Sequence, residues 1–170
     1  GGAGFSVRLI DCVGYMVDSA VGQFEDLSPR MVMTPWFDRE IPMTEAAEIG
    51  TRKVIAEHST IGIVVTTDGS ITDIPREDYL EAEDRVITEL KELGKPFLVL
   101  LNSAYPNSER AQAIQADISQ RQFTNNRALV DQGFISATAL ATSQASLDAA
   151  QSTYRAALAA ADVMRKSLDD

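Results

Sequence analysis

A chain of 170 residues suffices for one ordinary domain or two small ones, and 45% apolar residues are enough to bury a core. Its net charge of −10 and fifteen scattered Lys and Arg, never more than two in a row, exclude a nucleic-acid binder and disfavour anionic membrane surfaces, since both need clustered positive charge. The single Cys12 excludes an internal disulfide and a cysteine-based metal site, and no apolar run approaches the ~20 residues that span a bilayer. The start, Gly1-Gly2-Ala3-Gly4, lacks the basic and apolar parts of a secretory signal, so the expected compartment is the cytoplasm.

Val7 to Asp11 (VRLID) is a short apolar run, largely β-branched, stopped by the polar turn DCVG, and reads as a strand. Residues 15–42 carry Pro29, Pro35 and Pro42 without a clear period and read as a long loop, with Trp36 and Phe37 expected to pin it to the body. Thr44 is expected to cap a helix running to about Glu57. Ile61–Thr67 (IGIVVTT) is a continuous apolar run, the pattern of a parallel strand covered on both faces. Pro75 to Leu93 predicts a second helix, with Leu80, Val86, Ile87, Leu90 and Leu93 as its buried stripe and Gly94 as its stop. Phe97–Leu101 (FLVLL) predicts a third strand, ending at Asn102. Alternating strands and helices point to an α/β unit with a parallel sheet of about three strands over residues 1–105.

Composition changes after Tyr105-Pro106. Residues 107–170 have no proline and one glycine. Leu140, Ser143, Leu147, Ala150, Tyr154, Ala157, Ala161, Met164 and Leu168 step by three and four, a heptad seam that favours coiled-coil packing. With Gln132-Gly133 as a stop and Ser136 as an N-cap, residues 106–170 are expected to form a long antiparallel helical hairpin turning at 132–136. The second helix is the longer, so its last turns need another surface.

Ligands of parallel α/β sheets collect at the carboxyl ends of the strands. Asp11, Asp68 and Asn102 stand at three such ends. Asp11, before Cys12-Val13-Gly14, has the form of a Walker B carboxylate entering a D-x-x-G turn. Such an aspartate can hold Mg²⁺ through water while Gly14 brings a backbone N–H to a γ-phosphate; a capped turn is the plainer reading. No G-x-x-x-x-G-K-[ST] occurs, so there is no amide nest and no lysine to balance a triphosphate. Cys12 reads as a small buried residue and His58 as a partly exposed helix end. Thr66, Thr67 and Asp68 could face a phosphate but read first as a strand-terminating turn. Asp38, Glu40, Glu45 and Glu48 suggest a metal cluster only loosely, since Glu45 and Glu48 equally suit a helix N-terminus.

The runs VRLIDCVGYMVDSA, EAAEIGTRKVI and HSTIGIVVTTDGSI, within a match over residues 5–105, closely resemble the stage IV sporulation protein A family. That resemblance implies a P-loop NTPase fold related to translation-factor GTPases, ATP and Mg²⁺ as ligands, and ATP-driven assembly of the base layer of the spore coat in the mother-cell cytoplasm. It equates Asp11 with the family's Walker B aspartate. Asn102 falls where a GTPase would carry N-K-x-D, but Asn102-Ser103-Ala104-Tyr105 lacks the lysine and final aspartate, in keeping with ATP. The family's phosphate loop and sensor threonines would lie upstream of the matched residues, which implies impaired catalysis. The strand before that loop would separate strands 7–11 and 61–67, so either those two close up or an edge is left for another chain.

Residues 121–170 resemble a different family, the hairpin of periplasmic adaptor (membrane fusion) subunits of efflux and secretion systems. Leu129 and Ser136 fit that family's tip residues, while Asn125 stands where an Arg is expected. Two readings stand beside the ATPase one: a non-enzymatic module that self-associates or binds another chain through helices 107–170, and a recombined or designed chimera without selected function.

Overall fold

The computed structural model describes residue 4 and residues 6–169, with side chains through residue 166. The chain divides into two compact units, Gly1–Thr60 and Ile61–Asp170.

In the first unit, residues 6–11 form no strand, contrary to the sequence expectation. Val7, Leu9 and Ile10 are 69%, 83% and 45% exposed. A β-branched run becomes a strand only against a hydrogen-bonding neighbour, and no described segment pairs with these residues. The expected loop that follows is irregular apart from two minimal antiparallel pairs, β1 (Phe24–Glu25) with β2 (Ser28–Pro29) and β3 (Met31–Val32) with β4 (Ile41–Pro42). Helix α1 (Met43–Lys53) opens behind Pro42, not behind Thr44. The fixed φ of Pro42 sets the extended cap backbone, and no side chain caps the first turn. The helix ends in a π turn, Val54–His58, closed by Ser59 N–H donating to the Val54 carbonyl at 3.0 Å. Ile41, Ala47, Thr51 and Ile55 are the buried side of this unit.

The second unit holds a parallel sheet of two strands, not about three: β5 (Gly62–Thr67) beside β6 (Phe97–Asn102), in register from Gly62–Phe97 to Thr67–Asn102. Between them in sequence runs α2 (Arg76–Glu92). It packs Ile87 and Leu90 inward, together with Arg76 and Glu83, whereas the expected Leu80 and Leu93 are 41% exposed each. Gly62 lets α2 approach, because a Cβ there would lie 2.8 Å from Leu90 Cδ2. Val64, Thr66 and Phe97 are buried against the helices. The opposite face is not covered as the unbroken apolar pattern suggested: Ile63, Val65, Leu98 and Leu100 are all at least half exposed.

Beyond Tyr105-Pro106, α3 (Glu109–Asp131) and α4 (Ala137–Asp169) form the expected antiparallel hairpin. Gln151 meets Gln120 (3.4 Å) and Arg165 meets Glu109 (3.9 Å), which fixes the direction. Ser108 and Ser136 accept the amides of Ala111 and Ala139, each at 3.2 Å, as N-caps. Both α2 and α3 end in Schellman motifs. Lys95 N donates to Leu90 O and Gly94 N to Lys91 O; Phe134 N donates to Leu129 O and Gly133 N to Val130 O. The Phe134 ring lies against Gly94, where a Cβ would meet it at 2.6 Å. Along the seam Ser143 and Leu147 are buried, while Met164 is 64% exposed; the side chain of Leu168 lies outside the described residues.

Candidate functional site

β5 and β6 end side by side, and their C-terminal turns form one hydrogen-bonded cluster around Asp68. Its Oδ1 accepts from Ser70 N (3.0 Å) and Ser70 Oγ (2.5 Å), and its Oδ2 from Ser103 Oγ (2.6 Å). Ser70 Oγ then accepts from Ala104 N (2.9 Å), and Ser103 Oγ from Tyr105 N (3.0 Å). Gly69 N donates to Thr67 Oγ1, at φ +86° and so close to Arg76 N that a Cβ would stand 2.8 Å away. Burial raises the Asp68 carboxyl pKa, but the hydrogen bonds from Ser103 and Ser70 outweigh it and hold the group below the ordinary aspartate range.

Beneath this turn lies a buried ionic network. Thr66 Oγ1 donates to Glu83 Oε2 (2.6 Å) and accepts from Arg76. Arg76 Nη1 pairs with the same Glu83 oxygen at 2.6 Å, and Arg121 Nη2 from α3 reaches Glu83 Oε1 at 3.0 Å. Desolvation raises the Glu83 pKa, yet hydrogen bonds from Arg76 and Thr66 and the charges of both arginines bring it net below the usual glutamate value.

Asp68 and Asn102, both expected site residues, thus end neighbouring strands, but only Asp68 is built into the cluster; Asn102 is exposed. Asp11 and Gly14 belong to the first unit. Asp11 stands on irregular, exposed backbone, not at a strand end. It lines a cavity of ≈ 480 Å³ with Cys12, Trp36, Thr51, Glu57 and His58. Trp36 lies over Gly50, 3.2 Å from where a Cβ would be, and its ring faces Lys53 Nζ at 6.0 Å. Cys12, expected to be buried, is exposed. Gly14 adopts φ +80° with open space around it.

These groups do not by themselves fit a magnesium nucleotide. Both Asp68 oxygens already accept protein donors. Among the described residues no three His, Cys, Asp or Glu side chains gather to hold a metal ion, which also removes the loose Asp38–Glu48 cluster. Ser70, Ser103, Arg76 and Glu83 are not among the site residues expected from the sequence. Asp68-Gly69-Ser70 is a legible Asx-turn signal, but a buried Arg76–Glu83 pair two helical turns apart has the same spacing as a solvated one.

The chain matches the family described as stage IV sporulation protein A, ATPase domain, over residues 1–137. It is 56% identical over 120 residues to stage IV sporulation protein A of Bacillus subtilis (strain 168), covering 71% of this chain and 24% of that protein. It is 54% identical over 115 residues to that of Bacillus anthracis, with 68% and 23% covered. The Clostridioides difficile (strain 630) protein is 51% identical over 115 residues, with the same coverage. The chain therefore spans about a quarter of the length of these relatives. No solved structure matches it. With the family match reaching from the D-x-x-G turn through both parallel strands into the hairpin turn, the chain belongs to the stage IV sporulation protein A family, within its ATPase domain.

Proposed function

We propose that these 170 residues carry the Walker B part of a spore-coat ATPase-type domain and, taken by themselves, do not hydrolyse ATP. One observation carries the reading: the chain has a D-x-x-G turn at Asp11–Gly14 but no G-x-x-x-x-G-K-[ST]. A lone carboxylate on exposed backbone supplies neither the amide nest nor the ammonium that holds a polyphosphate. Where a phosphate loop is supplied, Asp11 would hold Mg²⁺ through water and Gly14 would offer its amide to the γ-phosphate, with the cytoplasm as the compartment. No described helix is long and apolar enough to cross a membrane.

Calorimetry with ATP and Mg²⁺, paired with a phosphate-release assay, tests this. No saturable heat and no turnover above buffer are expected, and Asp11→Ala should behave identically. Magnesium-dependent turnover abolished by Asp11→Ala would overturn it.

A second reading, association through the helices, is favoured by the end of α4, where Val163 and Met164 are 67% and 64% exposed. The adaptor resemblance fits less well, because Leu129 is buried and Ser136 is occupied as an N-cap. Sedimentation of the full chain against Val163→Lys/Met164→Glu separates an associating α4 from a monomer.

A further inference from the structure

Glu83 receives donors from three elements at once, and its two oxygens divide them. Oε2 accepts Thr66 Oγ1 of β5 and Arg76 Nη1 of α2, both at 2.6 Å. Oε1 accepts Arg121 Nη2 of α3 at 3.0 Å. The Glu83 side chain is 3% exposed, so water cannot readily replace a lost donor. A carboxylate is rigid and planar, and re-aiming one oxygen re-aims the other.

The Oε2 side leads to the strand-end cluster in two short steps. Thr66 stands two residues before Asp68, and Arg76 opens α2 with its backbone N so close to Gly69 that a Cβ there would lie 2.8 Å away. Gly69 is followed by Ser70, which gives Asp68 Oδ1 both of its donors. The donor to Asp68 Oδ2, Ser103, lies on the segment that runs from β6 into α3, where Ser108 N donates to Tyr105 O at 3.0 Å ahead of the helix. Helix α3 therefore meets the cluster twice, along the chain and through Glu83. Arg121 also reaches Asp84 Oδ1 (3.5 Å) and Asp117 Oδ2 (3.1 Å), but those acids are 71% and 65% exposed, and Glu83 carries the contact inward.

We propose that Glu83 is a joint through which the seating of α3 sets the strand-end turn, with Arg121 as the positioning residue on the hairpin side. When α3 shifts, Arg121 leaves Oε1, the carboxylate swings, Thr66 and Arg76 follow it, and Gly69-Ser70 lose their seat around Asp68. Coupling of this kind travels through contiguous hydrogen bonds and ion pairs. A partner that displaces the hairpin is thereby felt at the carboxyl ends of β5 and β6, where a parallel sheet meets its ligands.

Amide exchange measured by NMR on the ¹⁵N-labelled full chain reads the turn through Gly69 and Ser70, whose N–H groups donate to Thr67 Oγ1 and Asp68 Oδ1. Arg121→Ala should speed exchange at both about tenfold, the equivalent of about 1.4 kcal/mol, while Val64 in β5 and Leu147 in α4 change by less than about twofold. Asp84→Ala, which removes a surface partner of the same arginine, should leave the turn unchanged. In a Glu83→Gln background Arg121→Ala should add less than about twofold, because its route to the turn is already cut. If Glu83→Gln does not fold, the contrast between Arg121→Ala and Asp84→Ala decides the matter. Unchanged exchange at Gly69 and Ser70 in Arg121→Ala, an acceleration matched at Val64 and Leu147, an equal effect of Asp84→Ala, or a full Arg121→Ala effect in Glu83→Gln would overturn the proposal.

Discussion

Glu83 places one carboxylate between two guanidiniums and a hydroxyl, and its value to the fold depends on all of them being present. Arg76→Met leaves that carboxylate buried with its closest counter-charge gone. A loss of about 3 kcal/mol is expected in urea unfolding, whereas Arg110→Ala, which breaks the exposed pair with Glu77, should change stability little. Arg76→Met combined with Glu83→Leu should recover much of the loss, since removing both charges removes the desolvation cost as well. The pH dependence has a definite sign. Glu83 is held below its ordinary value of about 4.5, so the stability it contributes is fully present above that value and is lost as pH falls through the lower folded-state value. Asp68 acts in the same sense below its ordinary value of about 3.8. Urea midpoints measured downward from neutral pH should stay level until about pH 4.5 and then fall. The fall should be shallower in Glu83→Gln.

At the scale of elements, helix ends were more legible than strands. Pro75, Gly94, Gly133 and Ser136 each act through their own backbone or a near neighbour, so local sequence suffices to read them, and α2, α3, α4 and the 132–136 turn lie where those residues place them. Strand 7–11 failed because a strand is defined by its neighbour, and Val7–Asp11 carries the pattern without a pairing partner. The unbroken apolar runs of β5 and β6 told truthfully of two apolar faces, but not that Ile63, Val65, Leu98 and Leu100 lack a cover. At the candidate site, the strand-end position of Asp68 was legible, whereas Asn102 ends the neighbouring strand without joining the cluster. Ser103 was not legible, since its contact with Asp68 spans 35 residues. Gly94 offers a test of the helix-end reading. At φ +61° and under the Phe134 ring, Gly94→Ala should cost about 1–2 kcal/mol from the left-handed backbone alone. Gly94→Ala with Phe134→Ala separates the ring contact from the backbone strain, and a double variant as stable as Phe134→Ala alone would refute the backbone share.

At the largest scale, within the second unit, the exposed side of the sheet is the main liability. Four aligned apolar side chains on a two-stranded sheet with open edges invite association. Val65→Lys with Leu100→Glu should leave the urea midpoint nearly unchanged and reduce light scattering at high concentration. Unchanged scattering would place the sticky surface elsewhere. The seat of Phe134 on Gly94 has a different consequence. An aromatic ring resting in a notch that only a hydrogen can vacate acts as an index mark between the hairpin bend and the end of α2. Sliding the helix pair along the sheet by one turn would lift the ring out of its notch, so insertions or deletions in residues 132–136 should disturb how the hairpin is phased against the sheet before they disturb either helix.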